Sequence, residues 1–194
     1  MDPKILKREG NMKLLIASDI HGSSRYCGEL LRACDREKPD RLLLLGDLLY
    51  HGPRNNLPDG YDPKAVIPAL NERKQGLLCV RGNCDTEVDQ MVLDFPIMAD
   101  YALLYSGGLR IYATHGHVWN PDHLPPLQSG DLLLYGHTHI PAWEERGGIL
   151  CLNPGSVSIP KNNSPQGYMV FRDGVFEWKT LEGERYHLLM PGRG

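Results

Sequence analysis

Short apolar runs alternate with polar loops along this chain, and most of the runs stop at residues with chemical potential. Residues 13–18 form an apolar stretch that predicts a buried strand, followed at once by Asp19-Ile20-His21-Gly22. Helical spacing of Leu30, Leu31 and Cys34 predicts a helix over 24–37, with Pro39 as its stop. A second buried strand at 41–45 ends in Gly46-Asp47, and a loop rich in Gly, Pro and Asn spans 51–62. A helix is expected over 63–73, with Pro63 in its first turn and Pro68 as a complication. A third strand at 77–80 ends in Arg81-Gly82-Asn83-Cys84-Asp85. Continuous apolar runs belong to strands covered on both faces. The first half therefore reads as strand–helix units building a mostly parallel sheet.

The second half changes pattern. Ser106-Gly107-Gly108, Gly147-Gly148 and Asp173-Gly174 each separate two apolar segments and predict hairpins. A further strand at 132–135 ends in Gly136-His137-Thr138-His139. The expected fold is one α/β domain over 12–181 whose later strands are largely antiparallel. Residues 1–11 read as a polar N-terminal extension, with Met12 as a candidate start, and 182–194 as a frayed C-terminal tail.

Composition narrows the class. The chain has 194 residues, 41% of them hydrophobic and 23% charged, which fits a globular domain able to bury its own core. The formal net charge of -3 argues against a protein that coats nucleic acid, because phosphate contacts demand a basic excess. No stable nucleic-acid complex is expected. No apolar run approaches the roughly 20 residues of a membrane helix, so no membrane partner is expected. The five cysteines are scattered and include no CxxC pair. Reduced thiols and a cytoplasmic location follow, rather than a zinc ribbon or redox motif.

The strand-end loops carry the chemistry. They offer Asp19 and His21, then Asp47, Asn83, His115 and His117, and finally His137 and His139. Ligand sites in parallel α/β sheets lie beyond the carboxyl ends of the strands, where such loops converge. Any one of these residues alone is commonly structural, but the ordered set points to a metal centre. Two divalent ions roughly 3.5–4 Å apart can clamp an in-line displacement, and that spacing needs a bridging ligand. Asp47, standing alone between two mixed groups, is the natural bridge, with one oxygen for each ion. Imidazole, carboxylate and amide oxygen suit Mn, with Zn, Fe or Ni as alternatives, rather than copper(I) or iron–sulfur clusters. A single structural zinc would leave too many ligands over.

The ordered motifs Asp-x-His, Gly-Asp, Gly-Asn-Cys-Asp, Thr-His-Gly-His and Gly-His-Thr-His resemble the calcineurin-like metallophosphoesterase superfamily. Ser18–Gly22, Leu45–Asp47, Arg81–Asp85, His51–Asn55, Gly136–His139 and Asn153–Ser158 are similar to the small bacterial phosphodiesterases of the YfcE type. The resemblance implies a four-layer αββα sandwich with mixed β-sheets and a dinuclear metal-dependent phosphodiesterase. Asp19, His21 and His139 would hold one ion, Asn83, His115 and His137 the other, with Asp47 between them. A hydroxide bridging the ions would attack a small phosphodiester. Asp47, Asn83, Cys84 and His117 would form the catalytic group; Arg54 and Arg81, whose guanidinium forks suit phosphate, are either substrate contacts or solvated surface residues. One departure stands out, since many members of the superfamily carry His where this chain has Cys84. His117 and His51 are candidate substitutes for it. Asp85 is expected to orient a ligand, and 153–158 to support the His139 loop. A phosphomonoesterase or nucleotide pyrophosphatase on the same scaffold is the alternative, as is a non-catalytic binding module, although all seven ligand positions are filled. Apolar residues 92–98 leave two readings open, contact with a second copy in a homo-oligomer or simply core.

Overall fold

The structure, a computed structural model, describes residues 12–106 and 108–191; the proposed N-terminal extension lies outside the described residues. The elements run β1 (Leu14–Ala17), α1 (Ser24–Glu37), β2 (Arg41–Leu44), α2 (Pro63–Asn71), β3 (Leu77–Cys79), α3 (Glu87–Gln90), β4 (Ala102–Ser106) and β5 (Leu109–Ala113). There follow β6 (Leu132–Leu134), β7 (Pro141–Arg146), β8 (Ile149–Pro154), β9 (Gly167–Arg172), β10 (Val175–Thr180) and β11 (Arg185–Leu189).

Two sheets face each other. The first has the order β11-β10-β9-β1-β2-β3, and the second β4-β5-β6-β8-β7. Strands β1, β2 and β3 are parallel, as their continuous apolar runs predict, and β9 joins β1 antiparallel. All three predicted hairpins form, at β4–β5, β7–β8 and β9–β10. The second sheet is mixed, because β5–β6 and β6–β8 are parallel pairs.

Period-two alternation explains why the early runs are apolar throughout. Leu14, Ile16, Leu43 and Leu45 point between the sheets, against Ile111, Leu132, Met169, Phe171, Phe176 and Trp178. Leu15, Ala17, Leu42 and Leu44 point the other way, against Leu30 and Ala33 of α1 and Val66 and Leu70 of α2. On the far side, Tyr112, Leu133, Tyr135, Ile149 and Cys151 are covered by Trp119, Leu124 and Leu127. That outer layer comes from an irregular segment, residues 116–131, and not from a helix.

The ends of α1 are well specified. The Ser23 hydroxyl accepts from the Tyr26 N–H at 3.2 Å, and Lys38 turns left-handed to close the last turn on the Cys34 carbonyl. Pro63 occupies the first turn of α2, and the helix ends at Asn71, two residues before the expected 73. Two expectations change. The tail read as frayed forms β11, whose His187 ring stacks at 3.6 Å on Trp143 of the opposite sheet. Within 92–98, Leu93, Phe95 and Ile97 are buried in the core, so this stretch presents no continuous apolar face to a partner copy. Among the described residues no helix is long and apolar enough to cross a membrane.

Glu37 ties the helix layer to both edges of β1. It pairs with Lys13 at 2.9 Å and Lys179 at 2.8 Å and accepts from the Tyr168 hydroxyl. Burial alone would raise its carboxyl, but Lys179 and Lys13 bring it down to about 2. A depressed carboxylate stabilises the fold above its unfolded value, about 4.3, and loses that contribution as the pH falls toward 2. Glu37→Gln is therefore expected to lower the urea midpoint at pH 7. The gap to the parent should close between about pH 4.5 and pH 2, and a gap constant over that range would contradict the ion-pair account.

Candidate metal centre

The loops that follow β1, β2, β3, β5 and β6 meet at one rim of the sandwich. Their backbone is unusual. Asp19, His21, Asp47, His137 and His139 all have positive φ, between 48° and 65°. Such conformations cost of order 1–3 kcal/mol each for residues with a Cβ and persist only when surroundings impose them. Here each loop hydrogen-bonds its neighbour. Asp19 N–H reaches the Gly46 carbonyl at 3.1 Å, His21 N–H reaches that of Asp47 at 2.9 Å, and Gly136 N–H reaches that of His115 at 2.7 Å. Contact is too close for side chains at two glycines. A Cβ on Gly82 would stand 2.1 Å from Asp47 Oδ1, and one on Gly136 2.0 Å from Ser18 Oγ. The Gly in Gly-Asn and Gly-His is thus a packing requirement of the rim.

Three imidazoles are oriented by main-chain carbonyls. The Nδ1 atoms of His21, His115 and His139 lie 2.7 Å from the carbonyl oxygens of Tyr50, Leu45 and Ile159. A carbonyl can only accept, so each Nδ1 carries a hydrogen and each Nε2 is the ring atom left to bind a cation once it is unprotonated. His21 Nε2 and His139 Nε2 face each other at 3.2 Å, with Asp19 Oδ1 at 3.4 and 3.2 Å from them. Asp19 Oδ1 is buried without a hydrogen-bond partner. Ligand atoms around a tetrahedral ion with bonds of about 2.0–2.1 Å are separated by roughly 3.3–3.4 Å. Three converging donor atoms, one of them an orphaned carboxylate oxygen, therefore fit a cation.

A second set lies beside the first. His115 Nε2 is 3.1 Å from Asn83 Oδ1, 3.2 Å from His137 Nδ1 and 3.4 Å from Asp47 Oδ2. The same Asp47 Oδ2 is 3.6 Å from His21 Nε2 of the first set. Its other oxygen, Oδ1, accepts the Cys84 N–H at 2.8 Å. Asp47 therefore joins the two sets through one oxygen, where the sequence reading gave one oxygen to each side. The structure thus brings together Asp19, His21, Asp47, Asn83, His115, His137 and His139.

Support comes from residues behind the donors. Asp85 accepts three main-chain N–H groups, from Asp47 and Gly82 at 2.8 Å and Leu48 at 2.9 Å. Asn153 donates to the Gly136 carbonyl at 2.8 Å and to Thr138 Oγ1 at 3.1 Å, bracing the loop of His137 and His139. Ser156 and Ser158 both donate to the Asp19 carbonyl, at 2.9 and 3.0 Å. Residues 153–158 therefore brace the Asp19 loop as well as the His139 loop.

Charge follows proximity. Burial would raise the Asp19 carboxyl, yet His139 and His21 draw it well below the carboxylate range. Burial would lower His115, yet Asp47 and Asp19 raise it to about 9. Burial and the neighbouring His115 take His137 down to about 4, and the same two causes lower His117. Burial, then the Asp47 charge, pushes the Cys84 thiol up to about 12.

A cavity of about 420 Å³ opens onto the rim, and its lining includes Asp47, Asn83, Cys84, His137 and His139. Arg54, Asn55, Thr138 and Lys161 line it as well. Arg81, expected beside the phosphate, instead pairs with Asp100 at 2.8 Å and does not line this cavity. His117 is exposed, its ring 5.4 Å from that of His115. His51 packs edge-on to Tyr50 and Tyr61 away from the cavity lining. Lys161 escaped the sequence reading because a single lysine in a loop carries neither period nor motif.

Residues 12–172 match the calcineurin-like phosphoesterase superfamily domain. The chain belongs to that superfamily. It is 50% identical over 173 residues to the phosphodiesterase YfcE of Escherichia coli K12, covering 89% of this chain and 94% of that protein. The solved structure of that phosphoesterase superposes with a TM-score of 0.89 at 44% identity, covering 93% of this chain and 100% of the other. A vacuolar protein sorting 29 structure from Cryptosporidium parvum shares the fold at 19% identity and a TM-score of 0.61, over 94% of this chain and 97% of that one.

Proposed function

We propose that this chain is a dinuclear metal-dependent phosphodiesterase acting on a small phosphodiester. One observation carries the reading: two sets of side-chain donors meet at a single oxygen of Asp47, 3.6 Å from His21 Nε2 and 3.4 Å from His115 Nε2. Asp19, His21 and His139 would hold one ion, Asn83, His115 and His137 the other, and Asp47 would contribute to both. Mn is the first choice for this oxygen- and nitrogen-rich set, with Zn, Fe or Ni as alternatives. When bound, such ions activate water as the nucleophile and neutralise charge developing on the phosphoryl oxygens. The main-chain carbonyls on Nδ1 fix each imidazole plane, and Asp85 fixes the backbone under Asp47. Arg54, which lines the cavity, is the candidate contact for substrate phosphate, whereas Arg81 is paired with Asp100. A full donor set supports catalysis over a binding module, and five free cysteines support a reducing cytoplasm.

Cys84 governs the leaving group. A thiol, with an ordinary value of about 8.5, is a poorer proton donor at neutral pH than the imidazole it replaces. General acid catalysis is worth roughly 10²–10⁴-fold. Aryl diesters, whose leaving groups need no proton, should therefore be hydrolysed at least about 100-fold faster than alkyl diesters, beyond their intrinsic difference. Cys84→His should narrow that gap. A colorimetric diester assay with Mn²⁺, with and without chelator, tests the reading as a whole. Activity that needs the ion supports it, and no hydrolysis with any divalent ion contradicts it.

A further inference from the structure

We propose that Arg54 and Lys161 form an anion subsite, so that the preferred substrate is a phosphodiester bearing a second phosphate on its retained ester arm. The inference rests on the phosphodiesterase reading and adds the chemical class of the substrate. Both cations line the cavity of about 420 Å³ that opens onto the donor rim. Among the described residues neither is engaged in an ion pair, whereas Arg81 on the same rim is held by Asp100. Asp47 is the single carboxylate in the lining, and both its oxygens are committed, to the Cys84 N–H and to the two donor sets.

Both side chains spring from constrained backbone. The Lys161 N–H donates to the His139 carbonyl at 3.0 Å, while its own carbonyl accepts from the Ser164 hydroxyl at 2.7 Å. Asn162 and Asn163 follow in left-handed conformations, with φ of 54° and 56°. Lys161 is thereby tied to the loop that carries a metal donor. The Asn55 amide donates to the His51 carbonyl at 2.9 Å and tightens the turn that presents Arg54. Apart from the imidazoles of His137 and His139, the lining holds no aromatic ring on which an uncharged arm could stack. Two unneutralised cations without an aromatic platform select a charged, strongly solvated arm over an apolar one. The volume suits a small molecule of nucleotide size.

The test uses two substrates with one leaving group: thymidine 5′-(p-nitrophenyl phosphate) and the same compound carrying a 3′-phosphate. The parent protein loaded with Mn²⁺ should favour the phosphorylated compound by about 10- to 100-fold in kcat/KM, chiefly through KM. Lys161→Ala should remove most of that preference with a much smaller effect on the unphosphorylated compound, and Lys161→Arg should restore it. By calorimetry, thymidine 3′,5′-bisphosphate should bind the parent more tightly than thymidine 5′-phosphate, a difference Lys161→Ala should abolish. Equal kcat/KM for the two substrates, or equal losses in Lys161→Ala, would overturn the subsite while leaving the phosphodiesterase reading intact. Failure to hydrolyse either substrate with any divalent ion would instead overturn the phosphodiesterase reading itself.

Discussion

Asp47→Asn is expected to lower kcat/KM for an aryl phosphodiester by at least about 10³-fold and to reduce bound metal, while the fold survives. Substitutions of residues that merely orient a metal ligand cost roughly 10–100-fold, and a ligand shared by two ions should cost more. The amide has nearly the volume of the carboxylate but only one oxygen. If that oxygen keeps the Cys84 N–H at 2.8 Å, an NH₂ group replaces Oδ2. It then faces His21 Nε2 at 3.6 Å and His115 Nε2 at 3.4 Å with no lone pair for a cation. If the amide turns over, the Cys84 N–H confronts a donor. Either orientation breaks the link between the two sets. Unchanged circular dichroism with lost turnover and metal is the expected outcome; full turnover with full metal content would contradict the bridge.

The second large effect falls on stability. Asp85 is 6% exposed and its two oxygens accept the N–H groups of Asp47, Leu48 and Gly82. Burial pushes its carboxyl up, against the pull of those donors. Asp85→Ala strands all three N–H groups in a place where Gly82 already touches Asp47. An unsatisfied buried donor costs about 1–3 kcal/mol, so the substitution should cost about 3–5 kcal/mol in total, allowing for partial relaxation. Asp85→Asn, which retains one acceptor, should lose less. Urea unfolding of the metal-free protein reads this directly, since it removes any contribution from bound ions. A loss below about 1 kcal/mol for Asp85→Ala would mean that these N–H groups find other partners.

The donor set was legible in the sequence because most of its members directly end an apolar run. A strand covered on both faces must leave the core somewhere, and its first polar residues mark that exit. Asp19, Asp47, Asn83, His115 and His137 all sit there, so the order of motifs translated into a place. The parallel strands and three hairpins were legible for the same reason, through period and turn chemistry. Other features depend on contacts that no local pattern encodes. Which Asp47 oxygen faces the donors is decided by the Cys84 N–H, 37 residues away. Arg81 is turned from the cavity by Asp100, and Lys161 is brought to it by the His139 carbonyl. Helix α3 is four residues long, too short for a helical period, and its Thr86–Asp89 capping box was the signal available. Strand β11 lacks clean alternation, and it is held by pairing with β10 and by the stacking of His187 on Trp143. The irregular cover over the second sheet likewise follows from Trp119, Leu124 and Leu127 meeting that sheet's apolar face.

Anomalous X-ray diffraction from crystals soaked in Mn²⁺ interrogates the paired-ion site most directly. Two peaks per chain are predicted, one enclosed by Asp19, His21 and His139 and one by Asn83, His115 and His137, with Asp47 Oδ2 between them. A single peak, or two peaks with Asp47 touching only one, would contradict it.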